Sequence, residues 1–142
     1  MKKVMIVDDN SLAAEGIEKN IGWEELDAQV AIIQYNSRSA LEAMKETPVD
    51  LIISDIEMPD LDGISMSKLA LSINPQVKII LVSAYDKFEY AKRAIRLGVF
   101  DYIEKPLDYG YLTEKIKNAF SQLDKTRKNI ELVQASRPLM TE

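Results

Sequence analysis

The chain has 142 residues and a net charge of −5, from 18 lysines and arginines against 23 acidic residues. This length suits one domain, and 46% hydrophobic with 29% charged residues is typical of a globular protein. The absence of cysteine and histidine excludes disulfides, thiol catalysis, Ser-His triads and metal sites built from these residues. The acidic balance argues against direct binding to DNA.

No stretch approaches the roughly 18 consecutive apolar residues that a membrane-spanning helix needs. The N-terminal apolar run, Val4–Val7, is short and is followed by acidic residues, so it lacks the core of a secretory signal peptide. We therefore expect a soluble, cytoplasmic protein.

Short apolar runs alternate along the chain with segments of helical periodicity. The predicted strands are Val4–Val7, Val30–Ile33, Leu51–Ile53, Val77–Val82 and Val99–Ile103. Because the runs are almost continuously apolar, we expect strands that are buried on both faces. The sequence thus predicts an α/β fold, with a parallel sheet covered by helices on both sides.

Polar and glycine residues mark the ends of the predicted helices. Ser37 is a candidate N-cap of the second helix, Asn74 with Pro75 ends the third, and Gly98 lies near the end of the fourth.

Beyond the last predicted helix the chain becomes polar. We expect residues 1–124 to form the domain and residues 125–142 to be a linker or frayed C-terminal tail. Ile130 and Val133 would also fit an extension of the helix.

Charged and hydroxyl side chains follow four of the predicted strands. Asp8 and Asp9 follow the first strand, Asp55 the third, Ser83 the fourth and Lys105 the fifth. Ligands bind at the carboxyl ends of the strands in sheets of this kind, so these side chains should meet at one edge. Any one of them alone is more often a cap or turn residue, and only the combination indicates a site.

This combination of groups favours phosphoryl chemistry. Crowded carboxylates resist joint ionisation, and an oxygen-only ligand set suits Mg²⁺. The ammonium of Lys105 and the hydroxyl of Ser83 could bind phosphoryl oxygens, while a carboxylate could accept the phosphoryl group.

The same residues resemble the motifs of response-regulator receiver domains. The matching segments are Asp8-Asp9, Ile52–Gly63, Val82–Ala84 and Lys105-Pro106, in register from Lys2 to Leu123. The resemblance implies a flavodoxin-like (CheY-like), doubly wound sheet of five parallel strands in the order 2-1-3-4-5.

The resemblance also assigns a metal site and a phosphoacceptor. It implies that Asp55 accepts the phosphoryl group and that Asp9 and Asp55 bind Mg²⁺ directly. Asp8 would bind the metal through water, and Glu57 would contribute its backbone carbonyl.

Further residues are assigned to the phosphoryl group and to switching. Ser83 and Lys105 would contact the phosphoryl group, and the peptide bond between Lys105 and Pro106 would be cis. Tyr102 matches the aromatic switch position, and Ser83 would move with it.

Three segments are similar to one branch of these receivers, the branch joined to AraC-type helix-turn-helix DNA-binding regions. The segments are Trp23–Leu26, Ser83–Ala91 and Phe100–Leu107. We therefore expect a receiver belonging to a longer transcription regulator, or else one that stands alone. Contact with DNA would be made only through the output region.

The implied function is a switch phosphorylated by a sensor histidine kinase, not an enzyme acting on a separate substrate. Phosphorylation would alter the surface of the fourth helix, fifth strand and fifth helix, which could form a homodimer. Its charged residues are Lys87, Lys92, Arg93, Arg96 and Asp101.

Two positions near the phosphoryl group depart from the family pattern. Glu57 could repel or position an attacking water, while Tyr85 could shield the phosphoryl group from water. Because these effects oppose each other, the sequence leaves the lifetime of the phosphorylated state open.

The sequence also bears on three other functions. The segment Asp60–Gly63 looks like the first motif of haloacid-dehalogenase-type phosphatases, but its first Asp should lie on a loop. A flavodoxin would need a phosphate-binding loop after the first strand. The residues there are Asp8, Asp9 and Asn10, which would repel an anion. A receiver that binds its partners without phosphorylation is the third possibility.

Overall fold

The computed structural model describes residues 1–84 and 88–136, and only the backbone at positions 88, 90 and 136. The strands are β1 (Lys2–Val7), β2 (Ala28–Gln34), β3 (Leu51–Asp55), β4 (Lys78–Ser83) and β5 (Asp101–Glu104). The helices are α1 (Ser11–Asn20), α2 (Ser37–Glu46), α3 (Gly63–Ile73), α4 (Phe88–Leu97) and α5 (Tyr109–Ser136). A short 3-10 helix, Glu24–Leu26, precedes β2.

The five strands form one parallel sheet in the order β2-β1-β3-β4-β5. In the centre of the sheet, Met5 of β1 pairs with Ile52 of β3, which in turn pairs with Ile79 of β4. This topology confirms the flavodoxin-like fold expected from the sequence. It also brings the carboxyl ends of all the strands to one edge.

The apolar runs of the three central strands, β1, β3 and β4, are continuous because each of these strands packs in two cores, whereas the edge strands β2 and β5 are only partly buried. Val4 and Ile6 of β1 pack in the core that includes residues of α1 and α5. The alternate residues Met5 and Val7 pack in the other core, with residues of α2, α3 and α4. Since successive side chains of a strand point to opposite faces, burial of both faces requires apolar residues at every position.

The N-cap of α2 differs from the prediction. The side chain of Asn36 accepts a hydrogen bond from the backbone N–H of Ser39 at 2.8 Å, so Asn36 is the cap. Ser37 is the first residue of the helix, and its hydroxyl donates instead to the carbonyl oxygen of Leu61 at 2.8 Å. The Ser37 hydroxyl thereby joins α2 to the loop after β3.

The fifth strand begins two positions later than predicted, at Asp101 instead of Val99. Gly98 has a φ of 102°, which glycine adopts without a steric penalty, and it ends α4 as the sequence suggested. The backbone N–H of Val99 then donates to the carbonyl oxygen of Ala94 at 3.1 Å. Val99 is therefore part of the helix end, although its side chain is buried in the core.

The last helix is longer than predicted. α5 continues to Ser136, so residues 125–136 are helical and not frayed as expected. Residues 137–142 lie outside the described part of the chain, and the domain boundary at 124 stays a prediction. None of the described helices is both long and apolar enough to cross a membrane.

Two ion pairs attach the second half of α5 to the body of the domain. Lys2 Nζ lies 2.8 Å from Asp124 Oδ1, and an Arg127 guanidinium nitrogen lies 2.5 Å from Asp50 Oδ1. Asp50 also accepts a hydrogen bond from the backbone N–H of Lys3 at 2.7 Å. The helix is thus tied to the edge of the sheet opposite the strands' carboxyl ends.

Gly63 allows α3 to begin directly against the end of β3. A Cβ at this position would overlap the carbonyl oxygen of Asp55 and lie 3.0 Å from Cα of Ile56. We predict that Gly63→Ala lowers the free energy of unfolding by about 1–3 kcal/mol or more, because the backbone at Asp55 and Ile56 must move to admit the methyl group. Urea unfolding measures this change.

Gly22→Ala is the matched control for this prediction. A Cβ at Gly22 would meet only the flexible carboxylate of Glu25, at 3.4 Å. We expect its stability to stay within about 0.5 kcal/mol of the unsubstituted protein. Equal losses in the two variants would contradict the packing argument at Gly63.

Candidate functional site

The carboxyl ends of four strands bring the predicted site residues together. Asp8 directly follows β1, Asp55 ends β3, Ser83 ends β4 and Lys105 directly follows β5. Asp8, Asp55 and Ser83 are only 3%, 8% and 0% exposed, respectively. Carboxylates are rarely buried unless they are paired, so this burial distinguishes Asp8 and Asp55 from ordinary turn residues.

Lys105 lies between the two buried carboxylates. Its Nζ is 3.4 Å from Asp8 Oδ2 and 3.6 Å from Asp55 Oδ2. The backbone N–H of Lys105 donates to the carbonyl oxygen of Ser83 at 2.7 Å, which fixes the start of the lysine side chain. The peptide bond between Lys105 and Pro106 is cis, as the resemblance implies.

Burial raises the pKa of Asp55 to about 6. The Lys105 ammonium opposes this rise and lowers the pKa, whereas the negative charges of Asp8 and Glu57 add to it. The ionised form of Asp55 is therefore held at a free-energy cost in the metal-free protein. A bound cation would remove much of this cost, because it would balance the crowded negative charge.

Asp8, Asp9 and Asp55 form a carboxylate cluster suited to a hard cation. Each offers an oxygen, and these oxygens lie within 4.8 Å of one another. Among the buried side-chain atoms described, Asp55 Oδ1 has no hydrogen-bond partner. Asp9 is exposed, which leaves the cluster open on one side. The cluster fits Mg²⁺, which binds through a few carboxylates and keeps several waters.

The side chain of Glu57 makes a contact that sequence reasoning missed. The Ser83 hydroxyl donates a hydrogen bond of 2.5 Å to Glu57 Oε1. The backbone N–H of Ile56 donates to the carbonyl oxygen of Val82 at 3.0 Å, which holds the start of the loop against β4. The only signal in the sequence is an acidic residue two positions after Asp55, and this spacing does not reveal its partner.

In the segment Asp60–Gly63, the first three residues lie on the loop between β3 and α3, and Gly63 is the first residue of α3. Asp60 is exposed, has a φ of 73° and forms an ion pair with Arg38, with 2.5 Å between Oδ2 and Nε. Asp62 is the N-cap of α3, since its side chain accepts a hydrogen bond from the backbone N–H of Ser65 at 2.8 Å. These roles are structural, and Asp60 does not directly follow a strand as a phosphatase nucleophile of that type would.

The predicted switch residue and surface lie beside the site. Tyr102 of β5 is half-buried and packs against the core that contains Met5. Asp101 forms a 2.9 Å ion pair with Lys115 of α5, and its carboxylate raises the pKa of that lysine. Tyr85 and Lys87, to which the sequence assigned roles, lie outside the described residues.

The predicted dimer surface also includes charged residues of α4. Lys92, Arg93 and Arg96 are carried by α4, next to the β5 segment that carries Asp101, and Arg93 and Arg96 are exposed.

A family model decides the class of the protein. The model described as the response regulator receiver domain matches residues 4–117. The chain belongs to this family. The matched residues of this receiver domain include Asp8, Asp55, Ser83 and Lys105, so the site described above lies inside the family domain.

Similar proteins include transcription regulators and receiver structures. The chain is 29% identical over 87% of its length to an uncharacterized transcriptional regulatory protein, YesN, of Bacillus subtilis, and covers 33% of it. It is 31% identical over 83% of its length to the response regulator PilR of Pseudomonas aeruginosa, and covers 26% of that protein. The receiver thus spans about a third or less of these two curated relatives.

A solved structure supports the same assignment. The receiver domain of AraT, a response regulator from Geobacillus stearothermophilus, is 35% identical, with a TM-score of 0.82. The match covers 89% of this chain and 98% of that domain. The chain is also similar to a structure described as a two-component transcriptional regulator, AraC, from Clostridium phytofermentans, with 25% identity, a TM-score of 0.78 and 91% of this chain covered.

The raised pKa of Asp55 predicts how Asp55→Asn changes stability. The folded protein binds the Asp55 proton more tightly than the unfolded chain does, because the pKa is about 6 in the folded protein against an ordinary value of 3.8. The carboxylate therefore destabilises the fold above pH 6, and this effect disappears as the pH falls toward 3.8. We predict that Asp55→Asn stabilises the metal-free protein by about 1–3 kcal/mol at pH 7.5, and by less at pH 4.5.

Urea unfolding in the presence of EDTA tests this prediction at both pH values. Asp124→Asn is the control, because it removes an exposed carboxylate whose ion pair with Lys2 contributes about 0–1 kcal/mol. The control should be no more stable than the unsubstituted protein at either pH. Loss of stability in Asp55→Asn at pH 7.5 would contradict the proposed charge repulsion.

Proposed function

We propose that this receiver accepts a phosphoryl group on Asp55 from a sensor histidine kinase and switches the activity of a transcription regulator. One observation carries the proposal. The Asp55 carboxylate lies at the end of the central strand β3, with Oδ1 unpartnered among the described atoms and Oδ2 3.6 Å from the Lys105 ammonium. An unpaired carboxylate oxygen beside a cation is the arrangement expected of a phosphoryl acceptor.

The transfer forms one bond and breaks one bond. An oxygen of the Asp55 carboxylate attacks phosphorus and forms an O–P bond as the donor's bond to phosphorus breaks. The electron pair of the broken bond stays with the donor, which leaves as a neutral imidazole from phosphohistidine protonated on its other ring nitrogen, or as acetate from acetyl phosphate. The nucleophile must be ionised, which the Lys105 ammonium favours by lowering the pKa of Asp55 against the effect of burial.

The carboxylate cluster is the site at which we place Mg²⁺. Asp9 and Asp55 would bind the ion directly, Asp8 would bind it through water, and Glu57 would contribute its backbone carbonyl. When bound, the ion neutralises charge that develops on the phosphoryl oxygens. Asp8 also accepts a hydrogen bond from the backbone N–H of Asn10, which orients its carboxylate.

After transfer, the chain's own groups would hold the new charge. Phosphorylation adds nearly two negative charges and three acceptor oxygens. The ammonium of Lys105 would pair with one oxygen, and the hydroxyl of Ser83 would donate to another. Movement of Ser83 would leave space for Tyr102 to turn inward, because Ser83 in β4 and Tyr102 in β5 lie on adjacent strands.

The output of the switch would be the surface formed by α4, β5 and α5. Its cations Lys92, Arg93 and Arg96, together with Asp101, are candidates for contacts in a homodimer. The similarity to AraC-type receivers supports an AraC-type output region, through which DNA would be bound. In this role the domain acts as a phosphoacceptor and does not turn over a separate substrate.

Incubation with acetyl phosphate and Mg²⁺, followed by intact mass spectrometry, tests the proposal. We predict the gain of a single phosphoryl group that requires Mg²⁺ and is absent from Asp55→Asn. Lys105→Ala should slow phosphorylation by at least about tenfold, because it removes the cation beside the acceptor.

Asp60→Asn is the matched control. It removes a carboxylate of the same segment that is exposed and paired with Arg38, so it should be phosphorylated at the normal rate. Phosphorylation that survives Asp55→Asn, or that is lost in Asp60→Asn, would contradict the assignment of the acceptor.

A further inference from the structure

We propose that Glu57 is a positioning residue that holds the Ser83 hydroxyl away from the phosphoryl site until Asp55 is phosphorylated. The inference rests on the proposed function, since it concerns the step in which Ser83 moves. It assigns the side chain of Glu57 a role that its backbone carbonyl, a metal ligand in the proposal above, does not have. Glu57 would set how readily the receiver enters its activated state.

Backbone hydrogen bonds on both sides hold Glu57 and Ser83 in position for their contact. Ser83 is fully buried, pairs with Glu104 of β5 and accepts a hydrogen bond from the backbone N–H of Lys105. Glu57 follows Ile56, whose N–H donates to the carbonyl oxygen of Val82 at 3.0 Å. The 2.5 Å hydrogen bond between Ser83 Oγ and Glu57 Oε1 therefore joins two fixed points of the chain.

A serine hydroxyl has a single hydrogen to donate. While it donates to Glu57 Oε1, it cannot donate to a phosphoryl oxygen on Asp55. A hydrogen bond to a charged acceptor is stronger than one between neutral groups, and burial strengthens it further. Activation thus requires an exchange in which Ser83 leaves the carboxylate of Glu57 and donates to the phosphoryl group.

This exchange lowers the apparent affinity of the site for a phosphoryl group. If the competent state is populated only to a fraction, the apparent dissociation constant rises by the inverse of that fraction. The negative charge of Glu57 beside Asp55 weakens binding of an anion as well, but that effect does not need the Ser83 hydroxyl. The two effects can therefore be separated by a double-mutant cycle.

The cycle combines Glu57→Ala with Ser83→Ala, and the probe is beryllofluoride with Mg²⁺, a non-covalent mimic of the phosphoryl group. Its dissociation constant is measured by fluorine NMR. We expect Glu57→Ala to tighten binding about tenfold more in the presence of the Ser83 hydroxyl than in the Ser83→Ala background. A purely electrostatic or structural role of Glu57 would give the same factor in both backgrounds.

Glu57→Gln provides a conservative comparison, because it removes the charge and keeps an oxygen that can accept the hydrogen bond. With Ser83 present, its affinity for beryllofluoride should lie between those of the unsubstituted protein and Glu57→Ala. Glu46→Ala is the charge control, since it removes an exposed carboxylate at the end of α2. Its affinity should stay within about twofold of the unsubstituted protein.

The outcomes separate this inference from the proposed function. A coupling of about tenfold between positions 57 and 83 supports it. Binding of beryllofluoride with no coupling would overturn the role of Glu57 and leave the phosphoacceptor assignment intact. Failure of the unsubstituted protein both to bind beryllofluoride and to be phosphorylated would overturn the proposed function, and the inference with it.

Discussion

Two buried carboxylates share one ammonium group at the carboxyl edge of the sheet, and the chemistry of the domain depends on this arrangement. Lys105 Nζ lies within 3.4 Å of Asp8 and 3.6 Å of Asp55, yet the pKa of Asp55 is still raised to about 6. The positive charge thus only partly offsets burial and repulsion. The site therefore favours binding of a further cation. It also holds a nucleophilic oxygen, Asp55 Oδ1, that has no hydrogen-bond partner among the described atoms.

The fold and most of the site could be predicted from sequence because both depend on short-range patterns. Continuous apolar runs identified the strands, and the rule that parallel strands end at one edge brought Asp55, Ser83 and Lys105 together from the sequence alone. The helical extension of α5 was named only as the less favoured alternative to a frayed tail, since ion pairs that hold the helix, such as that of Arg127 with Asp50, join distant parts of the chain. The contact of Glu57 with Ser83 was missed for the same reason, because the path of a loop is set by its neighbours.

The structure suggests how one group could couple the site to a distant surface. Ser83 ends β4, and β4 pairs with β5, which carries Tyr102 and leads to Lys105. In the proposed switch, the Ser83 hydroxyl donates to Glu57 in one state and to the phosphoryl group in the other. The difference between these two charge-assisted hydrogen bonds contributes to the energy difference between the states, which phosphorylation shifts.

The most direct test of the central claim is to map the phosphorylated position chemically. Acyl phosphates are reduced by borohydride, so treatment of the protein after phosphorylation converts the modified aspartate to homoserine. Peptide mass mapping then identifies the residue. We predict homoserine at position 55, with Asp8, Asp9 and Asp60 unchanged. Reduction at any of those three residues, with Asp55 intact, would contradict the assignment of Asp55 as the phosphoacceptor.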